Sequence, residues 1–476
     1  MLGLALAVAL SGAGDPVRGE FRSYFCEDID KPFFAADGAW LAPVREPSQA
    51  KRFLREKHAG TSRVFVLGES VASLLGGGAL QEKAGLGLEI INCGMGAYDS
   101  YRISRVLKEV LDYKPDLLVL LSGNNENPQE FCPGPSAELR RRERALLSRV
   151  YSLSKDGDPG TKASLRIQER RVRAMASAAR RKKVPLVVCS LPANDLMPPY
   201  GTLPLDAADF YRGQEALRVR DYKGALAWFE GWAAGGGPAQ FARYYAGLAA
   251  LGAGRGAEAA EYFSKAVSLS PAQERASRER NAMLKRVAEE EGACFADLDA
   301  AFRAETASGI TGFGQFTDGI HWRPSRNDGV WDAVFSAASA CGIKAAGAYR
   351  GSAPGRQDTE ADDLPRARFS YAVSWLPAAG LHERAVAQLE RLAGEAPGLL
   401  SRAAASAAGL RAEFVLNFWS SGTAGSLDSL YPAFLLHLAE AYRRAGRPLE
   451  AIKAADKAAA AGLAAPELNL LKAKIF

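Results

Sequence analysis

Histidine is scarce in this chain. Only His58, His321, His382 and His437 occur in 476 residues, so imidazole chemistry has few places to happen. Charge of one sign is scarce too: 60 basic against 54 acidic residues leave a net of +6, small for this length. The densest basic clusters, 140–144 and 166–183, sit in sequence that reads as helix, so they read as solvated helix faces. No nucleic-acid recognition module accompanies them, and no nucleic-acid partner is expected. The 6 cysteines include no C-x-x-C pair, which argues against a zinc site or a thioredoxin-like motif. Cys93 and Cys189 fall in or beside apolar runs, the setting of a buried free thiol. Cys26 and Cys132 lie in irregular sequence and could pair if the compartment is oxidising, which the sequence leaves open. The N-terminal run MLGLALAVAL is apolar but too short to span a bilayer. It lacks a basic n-region, although residues 11–14 suit a cleavage site. It reads either as the end of a signal or anchor or as a locally packed N-terminus, which leaves membrane association open.

The chain has ordinary globular composition, 48% hydrophobic and 24% charged, and length for two to four domains. After a 1–60 extension, short apolar runs at 64–67, 88–91, 116–121, 185–190 and 294–297 predict strands buried on both faces of a parallel sheet. Amphipathic stretches at 101–113, 137–153, 163–183 and 276–291 alternate with them. That alternation predicts a doubly wound α/β fold with a three-layer parallel sheet, its two parts at 61–204 and 273–345.

Between 205 and 272 the alternation stops and a period of 34 appears. Gly213 and Gly247, Ala225 and Ala259, and Phe229 and Phe263 are each one period apart. Small residues admit close helix approach, and the aromatic fills the groove between. The period, with Pro271 closing it, resembles an inserted pair of tetratricopeptide repeats. Two repeats are few for an independent solenoid. Residues 346–366 are rich in Gly, Pro, Asp and Arg and read as a linker. Beyond it, 367–476 predicts a small all-helical domain: Ala439, Tyr442, Gly446 and Ala451 stand at repeat-like spacings, and 420–429 breaks the period.

The chemistry gathers in four places. Residues 63–70, RVFVLGES, are a strand that delivers Ser70 to a sheet edge, where ligands of open α/β sheets sit. A serine hydroxyl needs a base to act as a nucleophile. His382 and His437 read as helix residues and His58 as solvent-exposed, which leaves His321. Asp318, three residues before it, falls on the same side of a tight turn. That arrangement suits a carboxylate holding Nδ1 and an Nε2 free to take the serine proton. Residues 90–101, IINCGMGAYDSY, form a small-residue loop with backbone N–H groups to offer an oxyanion. Residues 120–126, LLSGNNE, end a second strand in Gly and Asn.

These four segments, in this order, resemble the signature blocks of the SGNH (GDSL-type) hydrolase superfamily across 63–340. Gly68-Glu69-Ser70 stands where the family has Gly-Asp-Ser, which implies Ser70 as nucleophile. Asn92 to Ala97 stands at the glycine block, and the oxyanion glycine falls on Ala97, or on Gly96 if the loop shifts by one. Gly123-Asn124-Asn125-Glu126 stands at the Gly-x-Asn-Asp block, which implies Asn125 as side-chain donor. Asp318-Gly-Ile-His321 matches the last block unchanged. Glu69 and Glu126 each replace an aspartate; neither is expected to carry chemistry. The helical insertion points further to a bacterial subgroup. There Asn194-Asp195 falls in a loop that is also polar, with no role assigned.

The resemblance implies a serine ester hydrolase: Ser70 attacks, His321 is base then acid, Asp318 orients it, and Ser70 N–H, Ala97 N–H and Asn125 hold the oxyanion. It implies no metal and no cofactor. Its substrate is an acylated small molecule or glycan, an O-acylated surface carbohydrate by analogy with extracytoplasmic members, and the repeats offer a surface for a protein partner. Two rivals stand beside it: an O-acyltransferase using the same triad, and a protein-binding module with a vestigial serine site. An ordinary α/β-hydrolase is excluded, because Ser70 is followed by Val71-Ala72 rather than the x-Gly of a nucleophile elbow, and Asp and His are only three apart.

Overall fold

A computed structural model describes residues 31–45, 50–75, 87–96, 98–126, 135–153, 158–197, 199, 208–270, 275–312, 314–316, 319–349, 382–395, 430–460 and 472–473. Its strands are β1 Phe34–Asp37, β2 Trp40–Pro43, β3 Phe53–Leu54, β4 Ser62–Gly68, β5 Leu88–Asn92, β6 Leu117–Leu121, β7 Leu186–Cys189 and β8 Cys294–Ala296. Its α-helices begin with α1 Ser70–Ser73, α2 Ser100–Val110, α3 Pro135–Ser152 and α4 Pro159–Arg181. Then come α5 Ala208–Arg218, α6 Tyr222–Ala234, α7 Ala239–Gly252, α8 Gly256–Leu269, α9 Arg278–Glu291 and α10 Leu298–Ala304. The last are α11 Asn327–Ala340, α12 His382–Glu395, α13 Leu430–Arg444 and α14 Pro448–Ala460. The chain forms two compact units. The first comprises the described residues of Met1–Ala193, Pro271–Phe302 and Ile320–Arg356; the second, those of Asn194–Ser270, Arg303–Gly319 and Gln357–Phe476.

The first unit is built on a five-stranded sheet of order β5-β4-β6-β7-β8, every neighbouring pair parallel. The order reverses between β4 and β6, the switch point where open α/β sheets bind ligands. All five residues of β6, LLVLL, are buried, as a strand covered on both faces requires. Alternate side chains serve the two faces. Phe65, Leu67, Leu118 and Leu120 share a core with Val106 and Val110 of α2, Met175 of α4 and Val287 of α9, while α11 packs against β7 and β8. Each expected strand is present, as are the expected α/β layers.

The 1–60 segment is not a mere extension where it is described. β1, β2 and β3 form an antiparallel sheet. Phe33, Phe34, Leu41 and Phe53 join the core just described, and Phe53 meets Phe65 edge-on at 5.6 Å. Glu109 on α2 fixes the start of β1 by accepting the N–H groups of Phe33 and Phe34 at 2.7 and 2.9 Å. Four residues of FAAD carry too little apolar alternation to announce a strand.

A disulfide joins Cys294 on β8 to Cys341 after α11, with Cα atoms 6.3 Å apart and a sequence separation of 47. Sequence reading had not paired these two, since connectivity is not deducible from spacing. Cys93 and Cys189 are buried free thiols. Cys26 and Cys132 lie outside the described residues, as do the apolar N-terminal run and the 420–429 stretch.

In the second unit, α5 to α8 form successive helical hairpins. Gly213 lies so close to Phe229 that a Cβ would stand 2.6 Å from the ring, and Gly247 repeats this on Phe263 at 2.7 Å. The period-34 glycines are thus the sites where an aromatic ring meets a bare helix backbone. Two boundaries differ from expectation. The segment 205–272 and the C-terminal helices share one hydrophobic cluster, which runs from Phe229 and Tyr245 to Leu389, Ala439 and Ala455. They form one unit rather than two, because helices with apolar faces bury them against each other whatever their distance in sequence. Residues Arg303–Gly319 also belong here rather than to the α/β unit. Arg303 holds the buried Asp195 carboxylate at 2.6 Å, and Asp195 Oδ2 accepts the N–H of Thr311, so the Asn194-Asp195 loop serves as an anchor for that return segment.

Reducing the disulfide, or substituting Cys341→Ser, is expected to lower unfolding stability by about 2–4 kcal/mol through a freer unfolded chain. Urea unfolding with and without reductant measures this; an unchanged midpoint rejects a structural role for the bridge.

Candidate active site

β4 ends at Gly68 because nothing larger fits there: a Cβ would lie 2.5 Å from Leu121 O and 2.6 Å from Ala72 Cβ. That contact brings the end of β4 against the end of β6 and starts α1 at once. Glu69 is extended at φ −92° and precedes the helix without capping it. Its side chain turns instead to the loop after β6, where Oε1 accepts the N–H of Asn124 and Oε2 that of Asn125, each at 2.9 Å. Glu69 is fully buried, and its carboxyl is pushed up to about 8. Burial is the main cause; the charge of Glu126 adds to it, while the two N–H groups and Arg280 oppose it.

Ser70 follows at the head of α1, buried. The Nε2 of His321 stands 2.7 Å from its Oγ, within reach for proton transfer. These residues are 251 apart in sequence. The segment bearing His321 is tied to the nucleophile's helix through Asn327, which accepts from Trp322 Nε1 at 2.9 Å and donates Nδ2 to Leu74 O at 2.9 Å. Asn327 carried no sequence signal, because its role depends on two partners from distant segments.

The loop after β5 lies against the same helix. Asn92 donates to Ala72 O at 2.8 Å and accepts from Gly94 N at 2.9 Å. A Cβ on Gly94 would come within 2.3 Å of Ser73 N. Gly96 is a buried turn residue in this loop. Ala97 and Asp318 lie outside the described residues.

Asn125 is buried, and no described group takes its Nδ2. Asn124 differs: its Nδ2 is also unpaired, but its Oδ1 is committed to the N–H of Ala276 at 2.9 Å. An unpaired amide in a buried setting is costly unless a ligand oxygen completes it. Behind it, Glu126 accepts from the N–H and Oγ of Ser100 and from Ser122 Oγ, at 2.9, 2.7 and 3.0 Å. Its carboxyl is raised, first by burial and then by the charge of Asp99, against the pull of Arg280 and Arg171. Both glutamates set aside as chemically idle are therefore the fixings of the loops that carry Ser70 and Asn125. Their identity is legible in the sequence, the direction of their side chains only in the fold.

The arrangement places a hydroxyl against an imidazole, and Glu69, the residue before Ser70, holds the loop that carries the unpaired amide of Asn125. Among the described residues, no group of three or more His, Cys, Asp or Glu is placed to hold a metal ion.

No protein-family model and no curated protein sequence matches the chain. Among solved structures it is similar to a GDSL-like lipase from Bacteroides thetaiotaomicron, at 10% identity and a TM-score of 0.30, over 59% of this chain and 88% of that one. It is similar also to an acetyl xylan esterase, at 13% identity and a TM-score of 0.31, over 58% of this chain and 98% of that one. Neither likeness is close enough to assign a residue role.

Glu69→Gln replaces one acceptor oxygen with an N–H₂, leaving one backbone donor unpaired at a cost of about 1–3 kcal/mol. The pH dependence has a definite sign. A carboxyl raised in the folded state binds its proton more tightly there, so its stabilisation is complete below the ordinary value of 4.5 and fades as pH rises through about 8. Gln does not titrate. The stability gap between wild type and Glu69→Gln is therefore expected to narrow from pH 4.5 to 8 in urea titrations; a gap that widens rejects the raised carboxyl.

Proposed function

We propose that the chain is a serine ester hydrolase of the SGNH type. The observation that carries this reading is the 2.7 Å contact between Ser70 Oγ and His321 Nε2, at the switch point of a parallel sheet. Ser70 Oγ attacks the ester carbonyl while Nε2 of His321 takes its proton. The carbonyl oxygen, now negative, is held by Asn125 Nδ2 together with the N–H groups of Ser70 and Ala97. His321 returns the proton to the leaving alkoxide, and the acyl group stays on Ser70. Water, deprotonated by His321, then attacks the acyl carbon; the bond to Ser70 Oγ breaks, Oγ takes the proton back from His321, and the carboxylic acid departs. In this reading Asp318 orients the imidazole and stabilises its charged form.

The two glycine–phenylalanine contacts one period apart support reading α5 to α8 as tetratricopeptide hairpins, with a surface for a protein partner. The Cys294–Cys341 bridge supports an oxidising, extracytoplasmic compartment. An O-acylated carbohydrate is the substrate class that suits such a setting.

A fluorophosphonate probe tests the nucleophile. Wild type is expected to label, and Ser70→Ala and His321→Ala to lose labelling; equal labelling of Ser70→Ala defeats the assignment. Asn125→Ala is expected to lower kcat on a nitrophenyl ester by about 10²–10³ with labelling geometry otherwise intact. A drop under threefold removes Asn125 from the oxyanion site.

A further inference from the structure

The loop that carries Asn125 is held from two sides. On one, Glu69 accepts the N–H groups of Asn124 and Asn125. On the other, two side chains of α4 donate to its carbonyls: Gln168 Nε2 to Ser122 O at 3.0 Å, and Ser164 Oγ to Glu126 O at 3.2 Å. Ser164 and Gln168 stand one turn apart on α4, so their bonds grip the two ends of the loop.

Both of these supports lead to one residue. Arg280 on α9 donates one Nη to Gln168 Oε1 and the other to Ser164 Oγ at 3.2 Å. All three side chains are buried. The stem of Arg280 also lies against the loop itself: a Cβ on Gly123 would stand 3.3 Å from its Cδ. The residues leading into α9 add a bond of their own, from the N–H of Ala276 to Asn124 Oδ1 at 2.9 Å. A guanidinium is costly to bury. What it offers in return is two donors in one rigid plane, which an ammonium lacks. Here those donors hold the two supports of a single stretch of backbone.

With the chain read as an ester hydrolase, on which this rests, we infer that Arg280 is the positioning residue of Asn125. It fixes Gln168 and Ser164, they fix the loop, and the loop aims the Asn125 amide at the oxyanion. Arg280 is buried beneath the loop and acts through it. A donor displaced by a fraction of an ångström leaves the ester free to bind but no longer meets the charge that develops on the carbonyl oxygen. The loss therefore falls on kcat rather than on KM.

A double-mutant cycle on the hydrolysis of a nitrophenyl ester tests it. Arg280→Lys keeps the charge and loses the fork. It is expected to lower kcat by about tenfold or more, with KM changed under threefold, Ser70 still labelled by the fluorophosphonate and the circular dichroism spectrum unchanged. In the Asn125→Ala background the same substitution is expected to change kcat by less than twofold, because the group it positions is gone. Losses that multiply overturn the inference, as does an Arg280→Lys protein with wild-type kcat. Gln168→Met breaks the link to Ser122 O and leaves the cation in place, so it carries the same cycle if Arg280→Lys does not fold; multiplying losses there overturn the inference too. A wild type that neither labels nor hydrolyses defeats the esterase reading, and an Asn125→Ala protein within threefold of wild type defeats the part given to Asn125. Either result takes the role of Arg280 with it, whereas multiplying losses in an active enzyme remove that role alone.

Discussion

The carboxyl group of Glu69 is the constraint on which the site rests. β4 and β6 are neighbours in the sheet, yet the chain leaves their ends on diverging paths, one into α1 and one into the Asn124–Asn125 loop. The pairing of the two strands ends at Gly68 and Leu121, with the N–H of Glu69 on Leu121 O at 3.3 Å as its last bond. Beyond it the Glu69 side chain holds those paths together by taking one N–H from each of two consecutive residues. A neutral hydroxyl or a single amide lacks two acceptors in that geometry. The cost is a buried carboxyl, and the fold accepts it where the orientation of nucleophile and donor is at stake.

Close approach does the rest. Gly68 and Gly94 are places where two backbones lie within the radius of a methyl group, so the serine helix is clasped by β6 on one side and by the β5 loop on the other. Asn327 closes the third side by joining the segment of His321 to the end of the same helix. A four-residue helix has almost no stability of its own. Its position comes from these three supports.

Much of this was legible beforehand, for identifiable reasons. The five parallel strands are continuous apolar runs, a local property that survives into the fold. Ser70, Asn125 and His321 could be singled out because their neighbours made recognisable blocks. The bonds that Glu69 makes were not legible, because a residue type does not say which way its side chain turns. Asn327 and the Cys294–Cys341 pair were invisible because each joins segments whose proximity only the tertiary structure creates. The helices at 205–272 were legible through their period, but not their union with the C-terminal helices. Periodicity reports how a helix packs on its neighbour in sequence and is silent about one 200 residues away.

The disulfide has a consequence for how this molecule survives a protease. Ser70 precedes Cys294, and His321 lies between Cys294 and Cys341. A single cut after Cys294 and before His321 would put nucleophile and base on different polypeptides. The bridge would still hold the two fragments as one covalent molecule, so such a nick parts the chain without parting the pair, until a reductant arrives.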